Sequence, residues 1–600
     1  MDRTTTRKQI LDLFETAPRL KEILLDSPEA RDVRSEMRNY LYNELMVRYD
    51  RDRDLHPLIW VAIRNAIAAF ENILSRRNER MAGFSLLQYL LDLLHGNEGE
   101  FPEEPSPGFL AELQHLIWAI TGHIGIYADS EVTDFTVTEG REAAELRSRD
   151  LSDMAAAIQT YMERYPWGMD EEIIEQRKQH RQRILKHFGG TEEDWNDWQW
   201  HLRNTIRDAD TLKQLVYVSA DEEEAVREAR RNRIPFGITP HYLSLMDDEP
   251  DSTRDRAVRV QVLPSRYYVD SFVKARESNE TMDFMLERDT SPIEGITRRY
   301  PMIVILKPIT TCPQICVYCQ RNWEIDDICL PSEAAVSKDV LDKAISWINE
   351  TKEIREVLIT GGDPFMLSDE RMENILSELS KINHVERIRI GTRTPITIPQ
   401  RITDELVAII GRYHQPGIRE IVIVTHCEHS YEITPEMMES VQKFRRAGIS
   451  VYNQLVYSFY NSRRYEASFL RHKLRLIGVT PYYTFNTKGK EETNEYRVPL
   501  ARLLQEQSEG ARLFPGMVRT DEVVFNVPRL GKNYLRADQQ RDLISILPDG
   551  RRVYEFHPWE KNIKLVDTYV HVDVSIYDYL QRMEEAGEDL EIYKTIWYYY

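Results

Sequence analysis

Between residues 300 and 485 six short runs rich in β-branched residues alternate with amphipathic stretches, and this rhythm sets the architecture. The runs are Ile303-Val304-Ile305-Leu306, Glu356-Val357-Leu358-Ile359, Arg387-Ile388-Arg389-Ile390, Ile421-Val422-Ile423-Val424, Ser450-Val451-Tyr452-Asn453-Gln454 and Pro481-Tyr482-Tyr483. After a longer first interval they recur about every 30 residues, the length of one strand–helix unit. Helix starts are marked between them. Thr434-Pro435-Glu436 supplies a capping hydroxyl, a proline at the first helical position and an acid in the first turn, and Ser368-Asp369-Glu370 opens another helix. Six units of this kind predict an α/β fold, a parallel barrel or partial barrel with its chemistry at the C-terminal ends of the strands. Most of the runs are apolar with little alternation, which predicts strands buried on both faces.

The rest of the chain is less patterned. Residues 1–190 read as helical, with Leu58, Ile59, Val61, Ile63, Ile67 and Phe70 and then Leu86, Leu87, Leu90, Leu91 and Leu94 at helical spacing. No catalytic constellation appears there, and a helical accessory or oligomerisation domain is expected. The 600 residues carry 78 basic and 99 acidic side chains, a net charge of −21. Such an excess argues against nonspecific binding to nucleic acid or to an anionic membrane surface. The most apolar stretch, 56–74, contains Arg64, Asn65, Glu71 and Asn72, too polar for a membrane span. The N-terminal Met-Asp-Arg-Thr-Thr-Thr-Arg lacks the apolar core of a signal peptide, and a cytoplasmic protein is expected.

Five cysteines do not make a disulfide framework, and three of them fall within eight residues just after the first strand. The loop reads Cys312-Pro313-Gln314-Ile315-Cys316-Val317-Tyr318-Cys319, a C-x3-C-x2-C spacing. A closed zinc site would want four ligands, usually in paired C-x2-C units. Three thiolates on one short loop suit three irons of a 4Fe–4S cube, with the fourth iron open to another ligand. A zinc knuckle that borrows a ligand elsewhere, or three core thiols, are the other readings of the spacing. Tyr318 is placed to lie against a bound base. After the second strand comes Gly361-Gly362-Asp363, where glycines let backbone approach a ligand and an acid can receive an ammonium group.

The cysteine spacing at the end of the first of six units resembles the radical S-adenosylmethionine signature. Residues 194 to about 560 are further similar to the lysine 2,3-aminomutase family. The segments that carry this are Asp194-Trp195-Asn196-Asp197-Trp198, Ile238-Thr239-Pro240-His241-Tyr242, Arg299-Tyr300-Pro301, Ile390-Gly391-Thr392-Arg393-Thr394-Pro395, Pro399-Gln400-Arg401-Ile402, Thr425-His426 and Asn453-Gln454. The resemblance implies a radical S-adenosylmethionine partial (β/α)6 barrel with a helical N-terminal extension and a C-terminal segment that binds pyridoxal phosphate. Its implied divisions are a helical domain at 1–190, a mostly helical family region at 191–298, the barrel at 299–486, a pyridoxal phosphate and substrate segment at 487–560, and a tail at 561–600. The implied cofactors are a 4Fe–4S cluster on Cys312, Cys316 and Cys319, S-adenosylmethionine and pyridoxal 5′-phosphate. Gly361, Gly362, Asp363, His426, Gln454 and Tyr318 would contact S-adenosylmethionine. Arg299, Tyr300 and Arg393 would hold the pyridoxal phosphate, and Lys532, in Val527-Pro528-Arg529-Leu530-Gly531-Lys532, would be its Schiff-base lysine. That stretch departs from the family pattern in having one glycine instead of several and one residue fewer after the proline.

The implied reaction moves an α-amino group to the β-carbon of a free amino acid after hydrogen abstraction by a 5′-deoxyadenosyl radical. Arg321 would hold the substrate carboxylate. In the lysine enzyme two aspartates receive the distal ammonium group; here their places are taken by Lys488 and Asn526, which resembles the glutamate 2,3-aminomutase branch. Lysine or another amino acid is the alternative substrate. A family member that modifies a protein lysine, and a cluster-bearing scaffold or sensor without turnover, are alternative functions. The resemblance also implies a small-molecule partner, an electron donor such as flavodoxin or ferredoxin, and a homo-oligomer. The family's cysteine zinc site is expected to be absent, because no cysteine follows Cys427. The aromatic end, Ile596-Trp597-Tyr598-Tyr599-Tyr600, is read as able to dock on a neighbouring subunit.

Overall fold

The computed structural model describes residues 3–46, 56–96, 103–126, 137–249, 253–328, 334–487, 490–537, 539–557 and 566–600. The chain forms two compact units. The barrel unit is Gln159–Arg497 with Arg512–Tyr534, and the terminal unit is Met1–Ile158 with Val498–Ala511 and Leu535–Tyr600. This division cuts across the linear one read from the sequence. Helix Glu171–Phe188 belongs to the barrel unit, and the 487–560 segment is shared between the two units.

The barrel unit is built on one sheet of β1 (Ile296–Thr297), β2 (Ile303–Leu306), β3 (Glu356–Ile359), β4 (Arg387–Gly391), β5 (Glu420–Thr425), β6 (Ser450–Tyr457), β7 (Val479–Asn486), β8 (Glu522–Val527) and β9 (Gly531–Tyr534). Neighbours in the chain are neighbours in the sheet. Strands β2 to β8 run parallel, while β1 and β9 pair antiparallel at the two edges. The six expected strands are all present, and the Ser368 and Thr434 hydroxyls cap the helices Asp369–Ser380 and Pro435–Arg446.

The sheet curls into a half-barrel. Arg389 on β4 donates to the Tyr482 hydroxyl on β7 at 3.0 Å, although β5 and β6 lie between them in the sheet. Only a concave face lets side chains of such distant strands meet. The concavity also corrects the expectation of strands buried on both faces. Along β2, β3 and β6 half-buried and buried residues alternate, so one face packs into the core while the other opens on the hollow.

In the terminal unit, β10 (Arg541–Ile546), β11 (Arg552–Phe556) and β12 (Tyr569–Val572) form an antiparallel sheet. Helix Pro57–Ile73 packs on β10, and Arg77 on the following helix pairs with Glu555 at 2.5 Å. The unit is therefore not purely helical, and the aromatic tail is packed within its own chain. Buried Arg552 pairs with buried Glu112 at 3.0 Å and donates to the carbonyls of Trp597 and Tyr599 at 2.6 and 2.7 Å. His115 stacks on Trp597 at 4.6 Å.

Removing one partner of a buried ion pair strands the other, which typically costs about 3–5 kcal/mol. Arg552→Met is therefore expected to lower the calorimetric midpoint of this unit's unfolding markedly. Arg551→Met, which removes an exposed pair with Asp549, is expected to change stability by less than about 1 kcal/mol.

Candidate functional site

The loop after β2 carries Cys312, Cys316 and Cys319, and backbone contacts hold it from both sides. Ile315 N donates to Gly237 O at 3.1 Å and Val317 N to Gln261 O at 2.8 Å. From the β3 side, Gly362 N donates to Ile309 O at 2.8 Å and Asp363 N to Thr311 O at 3.0 Å. A Cβ at position 362 would lie 2.1 Å from Thr311 O, so the approach of the two loops requires glycine there. Gly361 sits beside it at φ +124°, a conformation suited to glycine. All three thiols are half-buried. Cys316 Sγ accepts from Arg393 Nη1 at 2.8 Å and Cys319 Sγ from the backbone N–H of Arg321 at 3.3 Å. Burial, Asp363 and the neighbouring sulfurs push the Cys312 thiol well above its ordinary value, and burial raises Cys316 in spite of Arg393. Thiolates gathered in this way call for a compensating positive centre. Among the described residues no three His, Cys, Asp or Glu side chains converge on a single-ion position.

Two expected ligand contacts are otherwise engaged. Arg393 is not beside Lys532 but in a buried network at the cysteine loop. Its Nε donates to His426 O at 3.1 Å, and its Nη2 reaches Glu432 at 2.5 Å, Tyr242 at 3.3 Å and Gln261. Most of its donors are thereby engaged within the protein. Asp363 is likewise committed internally. Its carboxylate accepts from the Thr392 hydroxyl and from the backbone N–H groups of Phe365 and Arg393 at 2.7, 3.0 and 2.8 Å. It pins the glycine loop to the β4 loop.

Tyr318 lines a cleft with Gln261, Glu428, Ser458 and Tyr460, and His426 follows the end of β5. Glu428 joins them, with Oε1 3.2 Å from the Tyr318 hydroxyl and 3.7 Å from His426 Nδ1. Gln454 stands at the irregularity of the β6–β7 ladder, where it registers with Tyr483.

Lys532 lies on β9, directly across from Asn526 on β8. The expected glycine loop is a tight hairpin, with Arg529 at φ +62° and Gly531 at φ +96°. A Cβ at 531 would stand 2.7 Å from the Tyr300 ring. That contact brings Tyr300 to the lysine: Lys532 Nζ donates to its hydroxyl at 3.2 Å and lies 4.7 and 4.8 Å from the ring centres of Tyr300 and Tyr483. Burial, then the charges of Arg389 and Arg299, lower the Lys532 amine to about 7. Arg389 was missed as a site residue. Its signal is a charged residue at an alternating position of an otherwise apolar strand.

A carboxylate links this lysine to the cysteine loop. Arg299, next to Tyr300, pairs with Glu287 at 2.6 Å, and Glu287 pairs with Arg321 at 3.1 Å, two residues after Cys319. Glu287 is 1% exposed. Burial alone would raise its carboxyl, but Arg321 and Arg299 hold it down to about 2. Asn526 is buried; Lys488 lies outside the described residues.

No protein-family model matches the chain. An uncharacterised KamA family protein of Methanocaldococcus jannaschii is 43% identical over the whole chain and 98% of its own length. The glutamate 2,3-aminomutase of Clostridioides difficile is 36% identical over 59% of this chain and 78% of its own. The L-lysine 2,3-aminomutase of Bacillus subtilis is 39% identical over 52% of this chain and 63% of its own. The half-barrel and the matched relatives define an enzyme class, the amino-acid 2,3-aminomutases, which are isomerases. The chain belongs to the KamA family. Among the described residues no single helix is long and apolar enough to cross a membrane.

A lysine that loses its proton near pH 7 is a nucleophile at neutral pH. Reductive methylation read residue by residue is expected to modify Lys532 with a midpoint near pH 7, whereas exposed lysines follow the ordinary value near 10.5. The depressed value also makes its contribution to stability rise with pH between about 7 and 10.5, because the unfolded chain binds the extra proton in that window.

Proposed function

We propose that this enzyme is a radical S-adenosylmethionine, pyridoxal phosphate-dependent 2,3-aminomutase whose substrate is free L-glutamate. The observation that carries it is the unbroken line of contacts from Lys532 through Tyr300, Arg299, Glu287 and Arg321 to Cys319. It places an amine with a lowered pKa within one site with a cysteine triad.

The residues fit the cofactors. When bound, the cluster and S-adenosylmethionine supply a hydrogen-abstracting radical, and pyridoxal phosphate supplies a carrier for the migrating amino group. Cys312, Cys316 and Cys319 would hold the cluster, one thiolate to each of three irons; three thiols on one short loop suit this better than a closed zinc site, which wants four ligands. Tyr318, His426 and Gln454 would meet S-adenosylmethionine beside the backbone of Gly361 and Gly362. Arg299, whose buried Nε has no partner, would hold the pyridoxal phosphate's phosphate group together with Arg389. Tyr300 and Tyr483 would flank the ring, and Lys532 would hold the resting cofactor.

Arg321 would orient the substrate carboxylate, and the buried hollow would keep water from the reacting carbon. The glutamate reading rests on Asn526, a neutral amide opposite Lys532 where an aspartate would suit a cationic side chain, and on Lys488. The protein would work in the cytoplasm, as a homo-oligomer, with a flavodoxin- or ferredoxin-type donor.

The test is anaerobic reconstitution with iron, sulfide, S-adenosylmethionine, pyridoxal phosphate and a strong reductant, with glutamate and lysine offered separately. β-Glutamate is expected, and none from Lys532→Ala. β-Lysine in its place would assign the other substrate, and no β-amino acid from fully loaded enzyme would overturn the reaction. Asn526→Asp is expected to raise the KM for glutamate roughly tenfold by setting an anion against an anionic side chain.

A further inference from the structure

Glu287 has no role in the reaction proposed above, yet it is a buried charge shared by two guanidiniums of the site. Its two oxygens are divided between two arms. Oε1 accepts from Arg299 Nη2 at 2.6 Å and Oε2 from Arg321 Nε at 3.1 Å, with Lys307 Nζ 4.0 Å from the second oxygen. Lys307 is itself tied to Glu324. The carboxylate is held between the two arms, and its backbone is fixed as well. Glu287 N donates to Asp283 Oδ1 at 2.9 Å, and the Ser291 hydroxyl donates to Glu287 O at 2.8 Å. Two residues away, Met285 O accepts from Arg529 N at 3.2 Å, in the turn of the hairpin that carries Lys532.

We infer that Glu287 is a positioning residue that couples the two arms, so that occupation of the Arg321 arm by the substrate carboxylate and of the Arg299 arm by the cofactor phosphate are linked. This rests on the roles proposed above for Arg299, Arg321 and Lys532. A rigid carboxylate shared by two guanidiniums sets both their places and their charge balance. Loss of one guanidinium leaves its whole charge to the other and alters how readily that arm receives an external anion. By linkage the effect is reciprocal: what the cofactor does to substrate affinity, the substrate arm does to cofactor affinity. Glu287 remains ionised throughout the working pH range, so the coupling is a fixed feature of the site and not a switch.

The test is a double-mutant cycle read on cofactor affinity, independent of turnover. Full-length protein, stripped of pyridoxal phosphate, is titrated with it and followed by the visible absorbance of the lysine-bound cofactor. The four proteins are wild type, Glu287→Gln, Arg321→Met and the double variant. Arg321, which is not assigned to the cofactor, is expected to weaken pyridoxal phosphate binding about fivefold when replaced. In the Glu287→Gln background the same replacement is expected to have no further effect. Glu287→Asp, which keeps the charge on a shorter arm, is expected to restore part of the coupling; it also stands in should the glutamine variant fail to fold.

An Arg321→Met protein with wild-type cofactor affinity, or a double variant whose losses multiply, would overturn the coupling while leaving the cofactor reading intact. Wild-type protein that shows no saturable absorbance from a lysine-bound cofactor would overturn both.

Discussion

The buried Arg393 guanidinium is the joint on which the rest of the site hangs. Its donors reach the loops after β2 and β5 and the segment that precedes the sheet, through Cys316, His426 O, Glu432, Gln261 and Tyr242, while its own backbone N–H joins Asp363 after β3. A guanidinium out of water is tolerated only with an anion and full hydrogen bonding. Glu432 supplies the anion and is itself fixed by the backbone N–H groups of Glu428 and His429 at 2.6 and 3.0 Å. The βα loops therefore cannot move independently. Such a pair adds little net stability compared with an apolar filling, but it fixes one arrangement of the loops around the three thiols.

The barrel was legible because its strands are short, apolar and evenly spaced; β2 and β3 begin and end where the runs of Ile303–Leu306 and Glu356–Ile359 do. The β8–β9 hairpin was not, because Pro528 and Gly531 interrupt the pattern and read as a loop. Lys532 was found by resemblance, yet what lowers its amine is burial and then the charges of Arg389 and Arg299, which come from β4 and from the segment between β1 and β2. Arg393 shows the converse. An arginine beside a barrel strand looks the same in sequence whether its partner is a phosphate, a glutamate or a cysteine sulfur. Glu287 lies 12 and 34 residues from its partners, so no local pattern marks it.

Charge is arranged along the site in a definite order. At the lysine end two guanidiniums and burial disfavour a third cation, which frees the amine. At the cysteine end, sulfurs that resist ionisation next to one another are set beside Arg393 and the backbone N–H of Arg321. Between the two ends, Glu287 gives Arg299 and Arg321 a common counter-ion. The amine of Lys532 and the carboxylate of Glu287 are thus held deprotonated by their surroundings and not by their own nature.

The path of the chain makes the terminal unit more than an appendage. After Arg497 the chain leaves the barrel unit for Val498–Ala511, returns for Arg512–Tyr534 to lay down β8 and β9, and leaves again at Leu535. The hairpin that carries Lys532 is therefore bounded in sequence on both sides by segments that fold with residues 1–158. Those segments find their partners there: Arg552 pairs with Glu112, Glu555 with Arg77, and the carbonyl of Pro548 accepts from Ser106 N at 2.9 Å. Helix Leu500–Gly510, the first excursion, is tied to the third segment, with Leu500 N donating to Asp573 and Gln505 to Tyr593 O. Without residues 1–158, Arg552 and Glu555, both on the C-terminal side of that hairpin, would lack the partners that the fold supplies. Residues 1–158 thus fold as one unit with the segments that flank this hairpin in sequence.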